Sequence, residues 1–316
     1  MTRSALVTGA AGFVGAHLVR ALGKTGWRVT ATAQSADWPA DAPVGEVRWL
    51  AGDVRDPAHL REAVDLARPD AVFHLAAVSF VPAAAADPGA TVEVNAVAAA
   101  RLLGIVGERR QAGVLDPAVV VVGSGEQYGR HGAAELPLAE DAELRPHGVY
   151  AASKVAQEAL ALQAWRSAGV RVVAARPFNH SGAGQASRFL LPGLVGRTRG
   201  LRHAGPGTPL VMGNQDTVRD FLHVEDVVAA YIALAERGRP GEAYNVASGV
   251  GHTTGDLARR VLARAGVDAP IAVDPELVRP ADVPALVGSA AKLRGDTGWA
   301  PRRTLDDVID ELLSPS

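Results

Sequence analysis

The stretch Thr8-Gly9-Ala10-Ala11-Gly12-Phe13-Val14-Gly15 joins the end of a predicted strand, residues 5–8, to the start of a predicted helix, residues 12–24. Glycine at every third position permits a tight turn, close approach of a phosphate to the backbone, and close packing of the helix on the sheet. The start of such a helix also offers unpaired N–H groups and the positive end of the helix dipole. We therefore predict that a dinucleotide pyrophosphate binds here, although glycines alone also suit an ordinary strand–helix turn. The predicted contacts are Gly9, Gly12, Phe13, Val14 and Gly15.

Beyond this loop, the first half of the chain alternates short apolar runs with helical patterns, which is typical of βαβ units and a parallel sheet. Most of the runs are apolar throughout, as expected for strands that are covered on both faces. The predicted strands are 5–8, 29–33, 47–50, 71–75, 118–123 and 170–175. The predicted helices are 12–24, 58–67, 89–109, 149–168, 224–237, 254–265 and 305–313. Between 177 and 223 we expect loops and short helices, because glycines interrupt every apolar piece.

The predicted fold class is α/β, a Rossmann-type doubly wound parallel sheet with a smaller C-terminal substrate-binding lobe. A chain of 316 residues is long enough for one large α/β domain with a second lobe. We assign residues 1–176 to the dinucleotide-binding domain, with parts of 207–238 returning to it. Residues 177–316 are assigned mainly to the second lobe.

Bulk composition limits the classes of function. The net charge of −2 argues against a general nucleic-acid or membrane-surface binder. The chain has no cysteine, which excludes disulfides and thiolate metal sites, and we predict no metal. The segment before the first strand is too short for a signal-peptide core, and no apolar run reaches transmembrane length. We therefore expect a cytoplasmic protein without membrane or nucleic-acid partners.

Tyr150 and Lys154 lie in the stretch Val149-Tyr150-Ala151-Ala152-Ser153-Lys154, at the start of a predicted helix. The i, i+4 spacing places the phenol and the ammonium on the same helix face. A neighbouring ammonium favours the phenolate, so we expect the pKa of Tyr150 to move from about 10 towards neutrality. Such a tyrosine can exchange a proton with a carbonyl or an alcohol. Together with the glycine loop, the pair predicts hydride chemistry on an alcohol or ketone.

Ser124 follows the predicted buried strand 118–123. In open parallel sheets ligands bind at the carboxyl ends of the strands, so a hydroxyl here can donate a hydrogen bond to a substrate carbonyl. A lone serine at a strand end is more often structural. Because Tyr150 and Lys154 follow it in the chain, we interpret Ser124 as a catalytic residue.

The end of the second predicted strand bears on the choice between NAD and NADP. An acidic residue there would bond the ribose 2′-hydroxyl and repel a 2′-phosphate, but the strand ends with Gln34, and Asp37 comes late. The missing carboxylate favours NADP, with NADPH preferred and NADH still open, since no arginine replaces it. Asp53 and Val54, after the third strand, suit contacts with the adenine edge, unless Asp53 instead caps the helix that follows.

The glycine loop, His74-Leu75-Ala76-Ala77, Ser124 and the Tyr150/Lys154 pair resemble an extended short-chain dehydrogenase/reductase over nearly the whole chain. The C-terminal half resembles the nucleotide-sugar branch of that family. The stretches that carry this second resemblance are Phe178-Asn179-His180-Ser181-Gly182-Ala183-Gly184-Gln185, Arg219-Asp220-Phe221-Leu222-His223-Val224, Tyr244-Asn245-Val246-Ala247-Ser248-Gly249 and Arg279-Pro280-Ala281-Asp282-Val283-Pro284. Within the branch, the chain is most similar to GDP-6-deoxy-4-keto-mannose reductases.

This resemblance implies a Rossmann fold, an NAD(P) cofactor, and reduction of the C4 ketone of a nucleotide-linked 4-keto-6-deoxyhexose. It implies that Leu75, Ala76, Ala77, Tyr150 and Lys154 contact the cofactor. The implied substrate contacts are Ser79, Asn179, Arg219 and Arg279. Paired arginines suit a diphosphate because a guanidinium binds such groups bidentately. Without the resemblance, Arg219 also suits a salt bridge with Asp220 or Asp226, and we interpret His180 and His223 as structural.

Glu126 keeps a second reaction open. In sugar-nucleotide 4,6-dehydratases a glutamate two places after the catalytic hydroxyl residue removes the C5 proton, and Ser124-Gly125-Glu126 matches that spacing. The related reductases also carry glutamate here, and a carboxylate held by loop N–H groups is an equally good interpretation. Gly125 departs from the hydroxyl residue expected at its position. The alternatives are a 4,6-dehydratase, a dTDP-4-keto-6-deoxyhexose reductase or epimerase, and a non-catalytic dinucleotide sensor, which retention of Tyr150 and Lys154 disfavours.

The predicted helices 89–109 and 149–168 are rich in alanine. Small side chains allow close approach of helices, and the resemblance implies that these helices pair in a homodimer. Packing on the sheet, or the abundance of alanine throughout the chain, explains the pattern equally well. The alanines concerned are Ala96, Ala98, Ala99 and Ala100 in one helix and Ala151, Ala152, Ala156, Ala159 and Ala161 in the other.

Overall fold

A parallel sheet of seven strands lies at the centre of the computed structural model, which describes residues 2–34, 45–205, 207–278 and 283–314. Its strand order is β10-β6-β5-β4-β1-β2-β3, and every neighbouring pair in it is parallel. The strands in chain order are β1 (Ser4–Thr8), β2 (Arg28–Ala33), β3 (Val47–Ala51), β4 (Ala71–His74), β5 (Ala118–Val122), β6 (Val172–Pro177), β7 (Asn179–Ser181), β8 (Leu210–Met212), β9 (Val218–His223), β10 (Ala243–Val246), β11 (Gly251–Thr253), β12 (Ile271–Val273) and β13 (Ala285–Leu286).

The connecting helices cover both faces of this sheet. In chain order the helices are α1 (Phe13–Lys24), α2 (Pro57–Ala67), α3 (Val81–Ala86), α4 (Pro88–Val92), α5 (Ala98–Gln111), α6 (Val149–Ala168), α7 (Leu190–Leu201), α8 (Val224–Arg237), α9 (Thr254–Ala265), α10 (Ala291–Thr297) and α11 (Leu305–Leu313). Helices α1 and α8 bury one face of the strands, and α2, α5 and α6 bury the other. Because both faces are covered, strands such as β1 and β6 are buried at every position.

A second, smaller core lies under α7, α9 and α11. Here β9 pairs with β7, β11 and β13, while β8 pairs with β12. The strand order of the main sheet reverses between β1 and β4, which are neighbours in space although β2 and β3 separate them in sequence. A doubly wound sheet binds ligands in the crevice at such a switch point. The fold therefore places the glycine loop, which follows β1, beside the segment that follows β4.

The predicted fold class is confirmed, and three element predictions are corrected. The strand predicted at 170–175 begins at Val172 and continues to Pro177. The helix predicted at 89–109 is interrupted by a π-helical turn at Glu93–Val97. The region after residue 177 holds a full helix, α7, although three glycines interrupt its pattern; at Gly193 the Ser187 carbonyl leaves no room for a Cβ. Strand β10, four residues at the edge of the sheet, was not predicted.

The described helix from Pro88 to Gln111 is long and apolar enough to cross a membrane when judged by length and composition alone. Half of its apolar window is buried inside the protein, where α5 packs against α2 and α6. The expectation that no stretch reaches this length was therefore too strong. Burial of this kind is that of a core helix rather than a lipid-facing one.

Candidate active site

The glycine loop forms a turn that only glycine permits. Gly9 has a φ of +69°, and a Cβ there would lie 2.7 Å from the backbone nitrogen of Ala76. A Cβ on Gly15 would lie 2.8 Å from the Cα of Ala10, so the first turn of α1 packs directly on the loop. Among the described residues, no side chain caps the start of α1, and its first turn has no acidic residue. These features fit a pyrophosphate at the helix N-terminus, as predicted for Gly12, Phe13 and Val14.

The segment after β4 forms the other wall of this crevice. The Leu75 and Ala76 N–H groups donate to the Thr8 carbonyl and hydroxyl at 3.2 and 3.3 Å. Ala77 and the exposed Ser79 continue the same segment. These predicted cofactor and substrate residues therefore lie at the carboxyl ends of β1 and β4, facing the glycine loop.

Asp53 follows β3 by two residues and is held mainly by Arg55. Its carboxylate accepts hydrogen bonds from the Arg55 backbone N–H at 2.8 Å, the Arg55 guanidinium at 2.6 Å and the Gln34 amide at 3.0 Å. The Arg55 side chain holds the pKa of Asp53 well below its usual range. Helix α2 is capped by Asp56, whose carboxylate accepts from the Ala58 N–H at 2.8 Å. The capping interpretation of Asp53 is therefore wrong. Asp37 lies outside the described residues.

Ser124, Tyr150 and Lys154 come together at the carboxyl end of β5. The Ser124 side chain lies close enough to the Tyr150 phenol to lower its pKa. The Lys154 ammonium is 2% exposed and donates to the Val122 carbonyl at 2.7 Å and to Gln157 Oε1 at 2.9 Å. Removal from water lowers the pKa of Lys154 to about 7, because burial penalises the charged ammonium.

The direction predicted for the Tyr150 pKa is wrong. Burial raises the pKa of Tyr150 to about 12, and the nearby Ser124 side chain offsets only part of that rise. The negative charge of Glu126 adds to it. The i, i+4 spacing does bring Lys154 onto the same helix face, but its ammonium binds Val122 and Gln157, so its charge does not offset the burial of the phenol. The phenol is therefore protonated at neutral pH.

Gly125 accommodates an aromatic ring in place of the hydroxyl side chain that was expected there. A Cβ at this position would lie 3.1 Å from the Phe178 ring, which stacks on Tyr128 at a centroid distance of 6.0 Å. Glu126 follows in a short 3-10 turn whose first residue, Ser124, accepts the Glu126 N–H at 3.1 Å. The turn thus places the Glu126 carboxylate close enough to Tyr150 for its negative charge to raise the pKa of the phenol.

The predicted substrate residues lie on the strands that extend from the main sheet into the second lobe. Asn179 begins β7, and its Oδ1 is buried without a hydrogen-bond partner among the described residues. Arg219 lies on β9, which pairs with β7, and its guanidinium donates to the Val283 carbonyl at 2.8 Å. Arg279 lies outside the described residues. An amide oxygen that is buried and unpaired within the protein is a ready acceptor for a bound ligand.

The carboxylates proposed from the sequence as partners of Arg219 bind other groups. Asp220 accepts the Ser248 and Gly249 N–H groups at 2.9 and 3.0 Å. Asp226 accepts the N–H groups of Arg302 and Arg303 at 3.0 and 2.9 Å. The salt-bridge interpretation of Arg219 with either residue is therefore wrong.

The histidines near the crevice organise structure, as predicted. His180 Nδ1 donates to the Phe178 carbonyl, 2.9 Å away, the ring stacks on Phe13, and burial lowers the His180 pKa. His223 accepts the Glu225 N–H at the start of α8 and pairs through its other nitrogen with Glu311 of α11. Glu311 also accepts the Ala183 N–H at 3.0 Å. The C-terminal helix therefore fixes the loop after β7 beside the cofactor crevice.

Sequence reasoning missed two kinds of supporting residue. Asn95, in the π-helical turn, accepts the Val78 N–H at 2.8 Å and donates to the Ser153 hydroxyl at 2.9 Å, which ties the segment before Ser79 to α6. The Gln127 side chain accepts the Ser124 backbone N–H and donates to Glu158, so these two residues hold the backbone of Ser124 in place. The only signal in the sequence was a polar residue inside an otherwise apolar pattern. Among the described residues, no group of three or more His, Asp or Glu side chains could hold a metal ion.

His74 should make the protein sensitive to acid. It is fully buried, Thr8 Oγ1 lies 2.8 Å from its Nδ1, and burial lowers its pKa to about 3. The unfolded chain takes up this proton near pH 6.5, so the native state loses stability as pH falls from 6.5 towards 3. We expect His74→Asn to flatten the pH dependence of the unfolding free energy by up to about 1.4 kcal/mol per pH unit.

Urea unfolding at a series of pH values between 7 and 4.5 measures this slope for the wild type and the variant. His203→Asn, at an exposed position, is the matched control and should leave the slope unchanged. Equal slopes for wild type and His74→Asn would show that His74 does not cause the acid sensitivity.

Three comparisons with known proteins agree with this geometry. The family model described as GDP-mannose 4,6 dehydratase matches residues 6–312. GDP-6-deoxy-D-mannose reductase of Pseudomonas aeruginosa is 33% identical over 99% of this chain and 97% of its own length. The structure of RMD from Pseudomonas aeruginosa complexed with NADPH superposes with a TM-score of 0.81 at 31% identity, covering 98% of this chain and 97% of that one. The UDP-glucose 4-epimerase of Thermus thermophilus complexed with NAD has a TM-score of 0.85 at 29% identity, covering 98% and 97%.

Proposed function

This chain belongs to the GDP-mannose 4,6-dehydratase family of extended short-chain dehydrogenases/reductases, and we propose that it reduces the C4 ketone of a nucleotide-linked 4-keto-6-deoxyhexose. The proposed reaction converts GDP-4-keto-6-deoxy-D-mannose to GDP-D-rhamnose. The observation that carries the proposal is the meeting of Ser124 with a protonated Tyr150 beside the glycine loop. Similarity to the reductase over almost the full length of both chains supports the choice of substrate.

A reduced nicotinamide cofactor supplies the hydride. Gly9, Gly12 and Gly15 would hold its pyrophosphate, and the segment after β4 would lie along it. We favour NADPH, since Gln34 rather than a carboxylate follows β2 and the similar RMD structure contains NADPH. NADH remains the alternative, because the similar epimerase structure contains NAD.

Tyr150 donates a proton to the O4 oxygen as negative charge develops on it, and Ser124 donates a hydrogen bond to the same oxygen. The Tyr150 phenol is protonated at neutral pH, so it has a proton to donate to the O4 alkoxide, which is the stronger base. Lys154 would bind the cofactor ribose.

The substrate side of the site is proposed from the second lobe. The unpaired Asn179 Oδ1 would accept a hydrogen bond from the sugar nucleotide, and Arg219 and Arg279 would bind its diphosphate. Ser79 would contact the sugar. Glu126 lies near Tyr150 and is proposed to contact the hexose, which also keeps a 4,6-dehydratase as the second candidate function.

We propose a cytoplasmic homodimer in which α5 and α6 form the contact surface. Ala98, Ala99 and Ala161 are buried within the subunit, whereas Ala152 and Ala159 face outward. The alanines thus serve both packing on the sheet and an outer face of small residues. A shallow cleft between the two helices, lined by Gly104, Gly107, Leu160 and their neighbours, belongs to this outer face.

Absorbance of NADPH at its reduced-nicotinamide band tests the proposed function. We expect stoichiometric oxidation with GDP-4-keto-6-deoxy-mannose, slower oxidation of NADH, and little activity with the dTDP-linked keto sugar. Oxidation with the dTDP sugar alone would keep the chemistry and overturn the guanine assignment. Failure with both sugars, together with formation of a 4-keto product from GDP-mannose, would replace the reductase by the dehydratase.

A further inference from the structure

Helix α6 carries a third polar residue in line with the catalytic pair. Glu158 follows Lys154 by four residues and Tyr150 by eight, so all three side chains lie on one side of the helix. Glu158 is buried, with only 5% of its surface exposed. A buried carboxylate is costly unless its partners are fixed, so its contacts indicate what it supports.

Those contacts lead directly to Ser124. The Gln127 side chain is fully buried, its Nε2 donates to Glu158 at 3.0 Å, and its Oε1 accepts the Ser124 backbone N–H at 2.7 Å. Gly123 makes this arrangement possible, because a Cβ there would clash with Gln127 Oε1. The chain of bonds therefore runs from α6, through one amide, to the backbone of the catalytic serine.

Both ends of this chain are fixed. Arg176 on β6 binds Glu158 through two hydrogen bonds of 2.9 and 2.6 Å, and donates to the Tyr128 phenol at 2.7 Å. Lys154 binds the Val122 carbonyl at 2.7 Å, two residues before Ser124. Helix α6 is thus tied to the end of β5 at two points, and the same helix carries Tyr150.

We propose that Gln127 and Glu158 are positioning residues that set the Ser124 hydroxyl against the Tyr150 phenol. Because α6 carries both Tyr150 and Glu158, any shift of the helix moves Ser124 with it, and the two groups keep their distance. Correct placement matters, since a displacement of about 1 Å can cost about 10²-fold in rate. The inference rests on the proposed function only in that both use Ser124 to bind the reacting oxygen.

The test is a double-mutant cycle on kcat with Gln127→Met and Ser124→Ala. Methionine keeps the length and volume of glutamine but makes neither hydrogen bond. We expect Gln127→Met to lower kcat about 10- to 100-fold with the NADPH dissociation constant unchanged, and to cause no further loss when Ser124 is already alanine. Independent, multiplicative losses would overturn the proposal. Glu62→Met, a change of similar side-chain length at an exposed position on α2, is the control and should keep wild-type kcat.

A second variant separates positioning from misfolding. In Gln127→Glu the new carboxyl still accepts the Ser124 N–H, but it can donate to Glu158 only when protonated. Its kcat relative to wild type should therefore rise as pH falls, whereas Gln127→Met should show a constant ratio. A constant ratio for Gln127→Glu as well would overturn the proposal.

The wild-type rate tests the proposed function, whereas the ratio of variant to wild-type rates tests the positioning role. If wild type reduces neither keto sugar, the same variants are compared on dehydration of GDP-mannose, the second candidate reaction. Hydrogen exchange of the segment 122–128 provides a readout without turnover. We expect Gln127→Met to accelerate exchange there, and unchanged exchange would contradict the proposed bond to Ser124.

Discussion

Tyr150→Phe is expected to lower kcat by about 10²- to 10⁴-fold, the usual contribution of a general acid, while leaving the dissociation constant of NADPH nearly unchanged. Phenylalanine keeps the ring and its packing but cannot donate a proton to the O4 oxygen. Ser124 would still bind that oxygen, so a residual rate above background should remain. Single-turnover oxidation of NADPH under saturating keto sugar measures this loss directly.

Tyr231→Phe is the matched control for this prediction. Tyr231 is a buried tyrosine, 1% exposed, on α8, and burial raises its pKa as well. It lies within electrostatic reach of Tyr150 but plays no part in the proposed proton transfer. We expect its kcat to stay close to that of wild type. A Tyr150→Phe enzyme that kept near-normal turnover would show that another group supplies the proton.

Arg176→Met should destabilise the protein by about 3–5 kcal/mol, because it leaves the buried Glu158 carboxylate without its charged partner. The side chains of Arg176 and Glu158 are each only 6% exposed, so water cannot replace the lost bonds. Arg176 also donates to Tyr128 and to the Glu140 carbonyl. The free energy of unfolding from urea titration at neutral pH measures the effect.

Arg109→Met is the matched control for the stability prediction. Arg109 binds Asp65 through two hydrogen bonds, as Arg176 binds Glu158, but this pair is open to solvent. Exposed pairs contribute little because water solvates the separated charges and salt screens them. Similar losses for the two arginine variants would contradict the account of the buried pair. Recovery of stability in Arg176→Met combined with Glu158→Met would support it, since both charges are then absent.

The fold could be predicted, and the catalytic set proposed, from local sequence because their signals are local. The glycine loop, the apolar run of β1 and the Tyr150/Lys154 spacing each depend on residues a few positions apart. The same holds for Ser124, which a buried strand places at the carboxyl edge of the sheet. Resemblance to a known family then supplied the substrate class, which no local pattern in this chain specifies.

What could not be predicted depends on distant parts of the chain meeting. The charge state of Tyr150 is set by burial and by the binding of Lys154 to Val122, neither of which follows from helical spacing. The support of Ser124 by Gln127 and Glu158 joins residues 31 positions apart. Strand β10 joins the main sheet from a region that reads as part of the second lobe. Side-chain networks of this kind have no periodic signature in a sequence.

The most direct test of the central claim follows a label from the cofactor to the sugar. With NADPH carrying deuterium at both hydrogens of C4 of the nicotinamide ring, a ketone reductase places one deuterium at C4 of the hexose for each cofactor oxidised. Mass spectrometry and proton NMR of the product, formed from GDP-4-keto-6-deoxy-mannose, locate the label. We predict one deuterium at C4 of the sugar. An unlabelled sugar, or a label at another carbon, would contradict the account.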